Sequence, residues 1–462
     1  MPESLSLIDT HAHIDGKEFQ ADLDALLERA VTTGVSRMIT VGTDIESSRK
    51  ACELTNLHDE IYCSVGVHPH DAVRVTEKCY AIIRQLAIET PKNVAIGEIG
   101  LDFYRDRSPR DRQEDVFRRF LIMAAELSLP VIIHDRDAHE QILRILREEK
   151  PRGLRGVLHC FSGDLEMARE CVDLGFHLSI PGTITYPTND KLRSVVRGIR
   201  MENLLLETDC PYLSPVPFRG KRNEPSYLKI TAEKVAELKG LSLEDVARIT
   251  TLNAETLFGL GWKEQQASIA YKIRNSLYLN ITNRCSNHCS FCAKFNDFFV
   301  KGHFLKLDHE PSIAEVMSAI GDPSAYDEII FCGYGEPLLR LDLVREVARQ
   351  LKTKGCRIRI NTDGQANLVY GRNILPELAG LVDAISVSLN AADSDTYEKL
   401  CASPFGSAGF SGVCDFLTEA KKHVPMVVAS AVTVPGLDIE AVRRLAESLG
   451  VIFREREYAD VG

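Results

Sequence analysis

Hydrophobic residues in the first 262 positions keep two rhythms. Short consecutive apolar runs predict strands at LSLIDT (5–10), VSRMITVG (35–42), IYCSVGVH (61–68), VAIGEI (94–99), PVIIH (130–134), GVLHCF (156–161), FHLSIPG (176–182) and LLLETD (204–209). Between them, stretches such as FQADLDALLERAVTTG and RQEDVFRRFLIMAAELSLP repeat apolar residues at intervals of three and four, the period of a helix with one buried face. Eight strands alternating with helices over about 250 residues predict an α/β fold, a closed (β/α)8 TIM barrel whose catalytic side chains sit at the C-terminal strand ends.

The rhythm breaks at GLGWKEQQASIAYKIR (259–274), which turns polar, and a boundary near 263 divides the chain into residues 1–262 and 263–462. Beyond it six runs predict strands: SLYLNIT (276–282), EIIFCGYG (328–335), CRIRINTD (356–363), AISVSLN (384–390), MVVASAVTV (426–434) and VIFREREY (451–458). With helical stretches between them, six strands predict an open, partial (β/α)6 barrel.

Metal-competent residues fall at the ends of the first set of strands. His11 and His13 follow the first, Glu98 the fourth, His134 ends the fifth, His159 falls at the end of the sixth and Asp209 ends the eighth. Residues two apart on a continuing strand face the same side, so His11 and His13 can share one ion. Glu98 has two oxygens and can bridge two cations. Imidazole and carboxylate without thiolate suit Zn, Mn or Mg rather than a structural zinc knot. His68 and His70, in GVHPHDA, face the same mouth as substrate contacts, as supports behind the ligands, or as structural groups. Asp102 and Arg105 are placed in the loop after the fourth strand, as site groups or as a loop salt bridge. PVPFRGKRNEPSY (215–227) brings Arg219, Lys221 and Arg222 to the rim, to hold phosphates or simply to face solvent.

Bulk properties bound the reading. A chain of 462 residues exceeds one ordinary core, and 44% hydrophobic with 26% charged residues describes a soluble globular protein. No run approaches the roughly 20 apolar residues of a membrane span, and MPESLSLIDTHAH does not read as a signal peptide, so the cytoplasm is expected. The net charge of −11 splits as 33 Lys/Arg against 41 Asp/Glu in residues 1–262 and 22 against 25 in residues 263–462. Neither part is a basic slab for nonspecific duplex binding.

Of thirteen cysteines, only Cys285, Cys289 and Cys292, in ITNRCSNHCSFCAKF, have ligand-like spacing. Three thiolates on a short arc can hold three irons of a [4Fe-4S] cluster and leave the fourth iron open. A structural zinc would need a fourth donor, for which His288 or His303 is available. Cys332, Cys356, Cys401 and Cys414 lack cluster spacing.

DTHAHID, GVHPH, IGEIGLDFYRD, LPVIIHDRDA, HCFSG and LLETDCPYLSP, in that order over about residues 5–260, resemble the TatD family of metal-dependent deoxyribonucleases. The resemblance implies a pair of divalent ions, with His11, His13, Glu98 and Asp209 around one and Glu98, His134 and His159 around the other. It also implies phosphodiester hydrolysis, with 3′ to 5′ exonuclease activity on DNA, single-stranded or at 3′ ends. Glu98 and Asp209 are then the catalytic carboxylates, Asp209 taking a proton from the attacking water.

From about 274 onward the chain resembles the radical S-adenosylmethionine superfamily. Cys285, Cys289 and Cys292, with Phe291 before the last, fit its cluster loop, and FCGYGEPLLR resembles its glycine-rich segment, here Gly333, Gly335, Glu336 and Pro337, although it reads GYGE rather than GGE. Asn361 and Thr362, and Ser386, Ser388 and Asn390, are cofactor or substrate contacts by position, or capping and sheet residues. The resemblance implies a [4Fe-4S] cluster, S-adenosylmethionine, a flavodoxin or ferredoxin reductant, and a 5′-deoxyadenosyl radical that abstracts hydrogen. SLNAADSDTYEKLCASPFG and FREREYA resemble the radical enzymes found beside or fused to TatD nucleases. The whole chain then reads as a bifunctional enzyme. Two alternatives stay open: the first part acts on another ester or amide, or one part is a non-catalytic tether.

Overall fold

The computed structural model describes residues 5–261, 266–295 and 298–458. The chain divides into two compact units, Met1–Lys263 and Glu264–Gly462. The boundary expected near 263, and the alanine that ends FREREYA, fall outside the described residues.

The first unit is an eight-stranded parallel sheet: β1 (Leu7–Ala12), β2 (Val35–Val41), β3 (Ile61–Val65), β4 (Asn93–Asp102), β5 (Val131–Arg136), β6 (Gly156–Leu158), β7 (Phe176–Ile180) and β8 (Leu204–Leu206), paired in chain order. The sheet closes where Ala12 bridges Cys210 in parallel, His13 N–H donates to Cys210 O and Thr10 Oγ1 donates to Leu206 O. Strands covered on both faces read as apolar runs rather than alternations, and this is why they were legible as short hydrophobic blocks. Ile8, Ile39, Ala95, Ile132, Val157 and Leu205 form one cluster with Leu257 and Phe258 of helix Leu243–Phe258, while the remaining core packs the strands against the other helices. With the body so filled, polar side chains are left to the strand ends.

Strand β4 runs three residues further than its apolar run, and Gly100 makes that possible. Its φ is +142°, and a Cβ there would lie 2.0 Å from His134 O. Only glycine lets β4 pass so close to β5.

The second unit adds β9 (Ala270–Ile273), β10 (Ser276–Leu279), the short pair β11 (Phe299–Val300) and β12 (His303–Phe304), β13 (Glu328–Phe331), β14 (Ile358–Thr362), β15 (Ala384–Ser388), β16 (Met426–Val432) and β17 (Ile452–Arg456). Its main sheet has the order β17-β16-β15-β14-β13-β10-β9. Six strands are parallel, as the partial barrel requires, and β9 adds an antiparallel edge that the sequence pattern did not reveal. β9 lies within the stretch taken as polar, where Tyr271 and Ile273 are its two buried residues and a two-residue turn at Arg274 and Asn275 leads into β10. Helices cover the face presented by Leu277, Ile329, Ile358, Ile385 and Val427.

Candidate functional site

At the C-terminal mouth of the first sheet the six metal-competent residues come together. His11 lies on β1 and His13 one residue past it; Glu98 is on β4, His134 on β5, His159 just after β6 and Asp209 three residues after β8. Glu98 divides the group. Its Oε2 faces His11 Nε2 at 3.7 Å and His13 Nε2 at 3.8 Å, and Asp209 Oδ1 lies 3.7 and 3.4 Å from the same two nitrogens. Its Oε1 faces His134 Nδ1 at 2.8 Å, His159 Nε2 at 2.9 Å and His68 Nε2 at 3.5 Å. Donors bound to one tetrahedral ion at about 2.0–2.1 Å stand roughly 3.3 Å apart. The His11–His13 and His134–His159 nitrogen pairs, at 3.3 and 3.2 Å, have that separation. The donor set therefore fits two ions bridged by one carboxylate.

The ligand-competent atoms are held from behind. The Val41 carbonyl can only accept, so His13 Nδ1 donates to it at 3.0 Å and leaves Nε2 free toward the mouth. Asp102, the last residue of β4 rather than a loop residue, accepts from His70 Nε2 at 2.8 Å and stands 3.3 Å from His134 Nε2. A carboxylate behind a ligating histidine fixes the ring and raises its basicity. Glu207 is fully buried beside His159, accepts from Cys160 N–H at 2.5 Å, and burial pushes it up to about 8. The ring nitrogens His11 Nδ1 and His159 Nδ1 are buried without a hydrogen-bond partner.

Charge at the mouth follows from this crowding. Burial, with the His159 charge, pushes His11 down to about 4. Burial acts the same way on His13, but the Asp209 and Glu98 carboxylates outweigh it and hold the ring at about 9. His134 also reaches about 9 against burial, through Asp102 and Glu98. Burial would raise Glu98, yet the surrounding imidazoles hold it well below its ordinary range.

A cavity of about 970 Å³ opens over these groups. Arg105, Arg107 and Arg136 line it with Tyr186 and Tyr212. Of the cations expected at the rim from residues 215–227, one is tied to a surface acid and one lies against a cavity-lining ring. Arg222 is bound to Asp22 at 2.8 and 2.7 Å and donates to Glu18 O, and Arg219 stacks over Tyr186 at 4.4 Å from the ring centre.

In the second unit, Cys285, Cys289 and Cys292 lie half-buried in the loop after β10. One face of the loop rests on helix Ser394–Cys401: His288 N–H donates to Cys401 O and Ser290 N–H to Leu400 O. The Cys401 thiol, which has no cluster spacing in the sequence, sits against this loop and, with burial, pushes the Cys289 thiol up. Among the described residues, no three thiols meet within the 4.8 Å that a single small ion needs. Of the histidines offered as a zinc's fourth donor, His303 Nε2 is engaged with Lys272 O at 3.0 Å and His288 is exposed. Soft thiols spaced apart on an accessible loop fit an iron–sulfur cluster better than a zinc knot.

The loop after β13 closes on this segment. A Cβ on Gly335 would lie 2.1 Å from Thr282 O, and Glu336 N–H donates to Arg284 O at 2.7 Å, so glycine is needed for the approach. A Cβ on Gly333 would likewise meet Asn280. Pro337 opens the short turn Pro337–Arg340. The Glu336 carboxylate is buried and accepts from Leu338 N–H, Thr362 Oγ1 and Asp363 N–H; burial and the Asp363 charge push it up. Asp363 in turn accepts from Ser286 and stands 4.0 Å from Cys285 Sγ. Asn361 and Ser388 sit on β14 and β15 in the register facing away from the helices; Asn361 Oδ1 is buried without a partner.

Residues 8–259 match the family model of TatD-related DNases, more than half of the chain. The chain belongs to the TatD-related DNase family. Residues 279–449 match the radical SAM superfamily, so a TatD hydrolase domain and a radical SAM domain share one bifunctional chain. The TatD part is 47% identical over 252 residues to a Bacillus subtilis (strain 168) protein named as an uncharacterized metal-dependent hydrolase, YabD, covering 54% of this chain and 98% of that one. It is 39% identical over 261 residues to the 3′-5′ ssDNA/RNA exonuclease TatD of Erwinia amylovora, covering 55% of this chain and all of the other. Among solved structures it resembles YJJV, a TatD homolog from Escherichia coli K12, with a TM-score of 0.53 and 33% identity over 55% of this chain and 98% of that chain.

The TatD barrel carries groups that sequence reasoning missed. Glu207 sits in the LLLETD run and reads as a strand residue, although a carboxylate in an apolar run is itself a signal of a buried role. Arg136, in HDRDA, was unmarked because its run ends at His134, whereas β5 continues two residues to carry it into the cavity.

Proposed function

We propose that residues 1–262 hydrolyse phosphodiester bonds of single-stranded nucleic acid from the 3′ end, and that residues 263–462 carry out radical S-adenosylmethionine chemistry. The observation that carries the first reading is the division of Glu98, with one oxygen toward His11 and His13 and the other toward His134 and His159. In this reading His11, His13, Glu98 and Asp209 hold one divalent ion, Mg, Mn or Zn, and Glu98, His134 and His159 hold the other. When bound, the pair supplies Lewis acidity and a water of lowered pKa. Asp209, beside His13 at 3.4 Å, accepts the proton of the attacking water. Asp102 holds His134 in place, Glu207 lies buried 3.9 Å from His159 Nδ1, and Arg105, Arg107 and Arg136 grip the flanking phosphates. A cavity of about 970 Å³ admits one or two nucleotides rather than a duplex, which supports a strand-end substrate.

In the second site Cys285, Cys289 and Cys292 hold a [4Fe-4S] cluster, which when bound with S-adenosylmethionine supplies reductive cleavage of the sulfonium, drawing an electron from a flavodoxin or ferredoxin. Glu336 and Asp363, beside Cys285, would receive the methionine amino group, and the Gly333–Gly335 backbone, Asn361 and Ser388 would contact the rest of the cofactor. Thirteen free thiols suit a reducing cytoplasm, and no helix of the described residues is long and apolar enough to cross a membrane.

The test is release of mononucleotides from 3′- and 5′-labelled single strands with Mg or Mn. Release from the 3′ end, lost in Glu98→Gln, supports the proposal. No release by the metal-loaded protein, with hydrolysis of a simple carboxylic ester or amide instead, refutes it.

A further inference from the structure

The sheet of the radical SAM domain has two unlike faces. Its helices pack on the register of Leu277, Ile329, Ile358, Ile385 and Val427. Because strand side chains alternate, the other register points away from the helices, and beside Tyr278, Ile330 and Val428 it carries polar groups: Cys332 just past β13, Arg359 and Asn361 on β14, Ser386 and Ser388 on β15.

Strand β17 shows the division most clearly, reading Ile-Phe-Arg-Glu-Arg. Phe453 joins the helix-side core and Glu455 pairs with Arg443 of helix Ile439–Ser448. Arg454 and Arg456 therefore project to the opposite, inner face. Among the described residues they make no ion pair. Their reach is visible in the field at other groups. Arg456 acts on the thiols of Cys292 and Cys332, Arg359 on Cys332 and Tyr278, and Arg454 on Tyr278. Arg359 has one carboxylate neighbour, Glu328 at 3.0 Å, and its Nε is buried without a partner, as is Asn361 Oδ1.

The cysteine loop consequently lies between two fields. Cys285 Sγ stands 4.0 Å from Asp363, whose N–H donates to Glu336, whereas Arg454 and Arg456 belong to the inner face of β17. A molecule with an ammonium and a sulfonium is drawn to the acidic side. The basic side is left for something else.

We propose that the inner sheet face binds an anionic small-molecule substrate, bearing a carboxylate or a phosphate, through Arg359, Arg454 and Arg456. The inference rests on the radical SAM reading and names the substrate class of that site. Arg359 is half-buried and Arg454 and Arg456 are exposed, and among the described residues Glu328 is the one carboxylate ion-paired to any of the three; planar recognition of a carboxylate or phosphate favours arginine. Exposed arginines on an edge strand also discourage strand pairing, and such a role needs no anion.

Phenylglyoxal labelling of the full-length, anaerobically reconstituted protein, read arginine by arginine by mass spectrometry, separates these roles. Inorganic phosphate and succinate are the two probes, and the one that protects better identifies the anion class. We expect at least one to slow labelling of Arg454 and Arg456 several-fold while Arg74, exposed on the other domain, is unaffected. In Arg454→Gln/Arg456→Gln, protection of Arg359 should be lost. Absence of protection by either anion overturns the proposal. So does protection by S-adenosylmethionine alone, without added effect of either anion, because the arginines then serve the cofactor's own carboxylate. Failure of the wild-type protein to form 5′-deoxyadenosine with dithionite would sink the radical SAM reading separately, since the labelling result does not depend on it.

Discussion

The two sites solve opposite problems of preorganisation. In the TatD barrel every proposed ligand is fixed by a strand or by the residues just past one, and most are buried, with His11 wholly inaccessible and Glu98 3% exposed. In the radical SAM domain the three thiols sit on a half-buried loop rather than on strand ends. Rigid strand ends hold like-charged and polar groups together before an ion arrives, at the cost of strongly shifted protonation. A loop leaves the thiols neutral, since burial raises Cys285 and Cys292 and the neighbouring Cys401 with burial raises Cys289, and lets the incoming cluster set their spacing. Function in one case is written into the sheet, and in the other into a segment that the sheet merely positions.

The contrast can be broken most severely at Glu98. Removing the bridging charge in Glu98→Gln forfeits several kcal/mol of ion-dependent stabilisation, so nucleotide release should fall about 10³-fold or more. Cys289→Ala should abolish 5′-deoxyadenosine formation and leave nucleotide release intact; parallel loss of both would mean that the sites are not independent. Next in size is Asp102→Asn. It should lower metal affinity or hydrolysis by about 10- to 100-fold, measured by metal titration, since it acts through His134.

Proton release sharpens the comparison further. His13 and His134, each held at about 9, are charged in the metal-free protein at pH 7, and an ion binds only the neutral ring. With His159 also raised, loading the barrel should therefore release at least two protons at pH 7, seen with a pH indicator, and metal affinity should rise as pH climbs toward 9. The sign follows from the raised values: the charged form is favoured below about 9 and competes with the metal there. Uptake without proton release would show that these rings are neutral beforehand. The smallest effects separate two arginines. Arg136→Gln should raise KM for single-stranded DNA by about tenfold, the loss of one charged contact. Arg222→Gln, tied to Asp22 at the surface, should change KM little and stability by at most about 1 kcal/mol.

Much of this was legible because parallel strands announce themselves as apolar blocks and because histidines and carboxylates at their ends are conspicuous. What escaped reading follows from geometry that periodicity does not encode. Asp102 seemed to lie in a loop because apolarity fades at Ile99, yet Gly100 extends the strand and places the carboxylate behind His134. β9 was hidden in a polar stretch because an edge strand needs only two buried residues, Tyr271 and Ile273. Cys401 meets the cysteine loop only through the packing of a distant helix, where its carbonyl accepts from His288 N–H, and no spacing rule connects them. Arg219, Lys221 and Arg222 were grouped by proximity in sequence, but a surface acid, Asp22, claimed one of them.

Gly100 has a consequence beyond strand geometry. Every single-base change that replaces a glycine introduces a side chain, and any side chain here drives into the His134 carbonyl. A random-mutagenesis screen for lost nuclease activity should recover this position beside the histidines and carboxylates themselves, although it presents no donor to metal or nucleic acid.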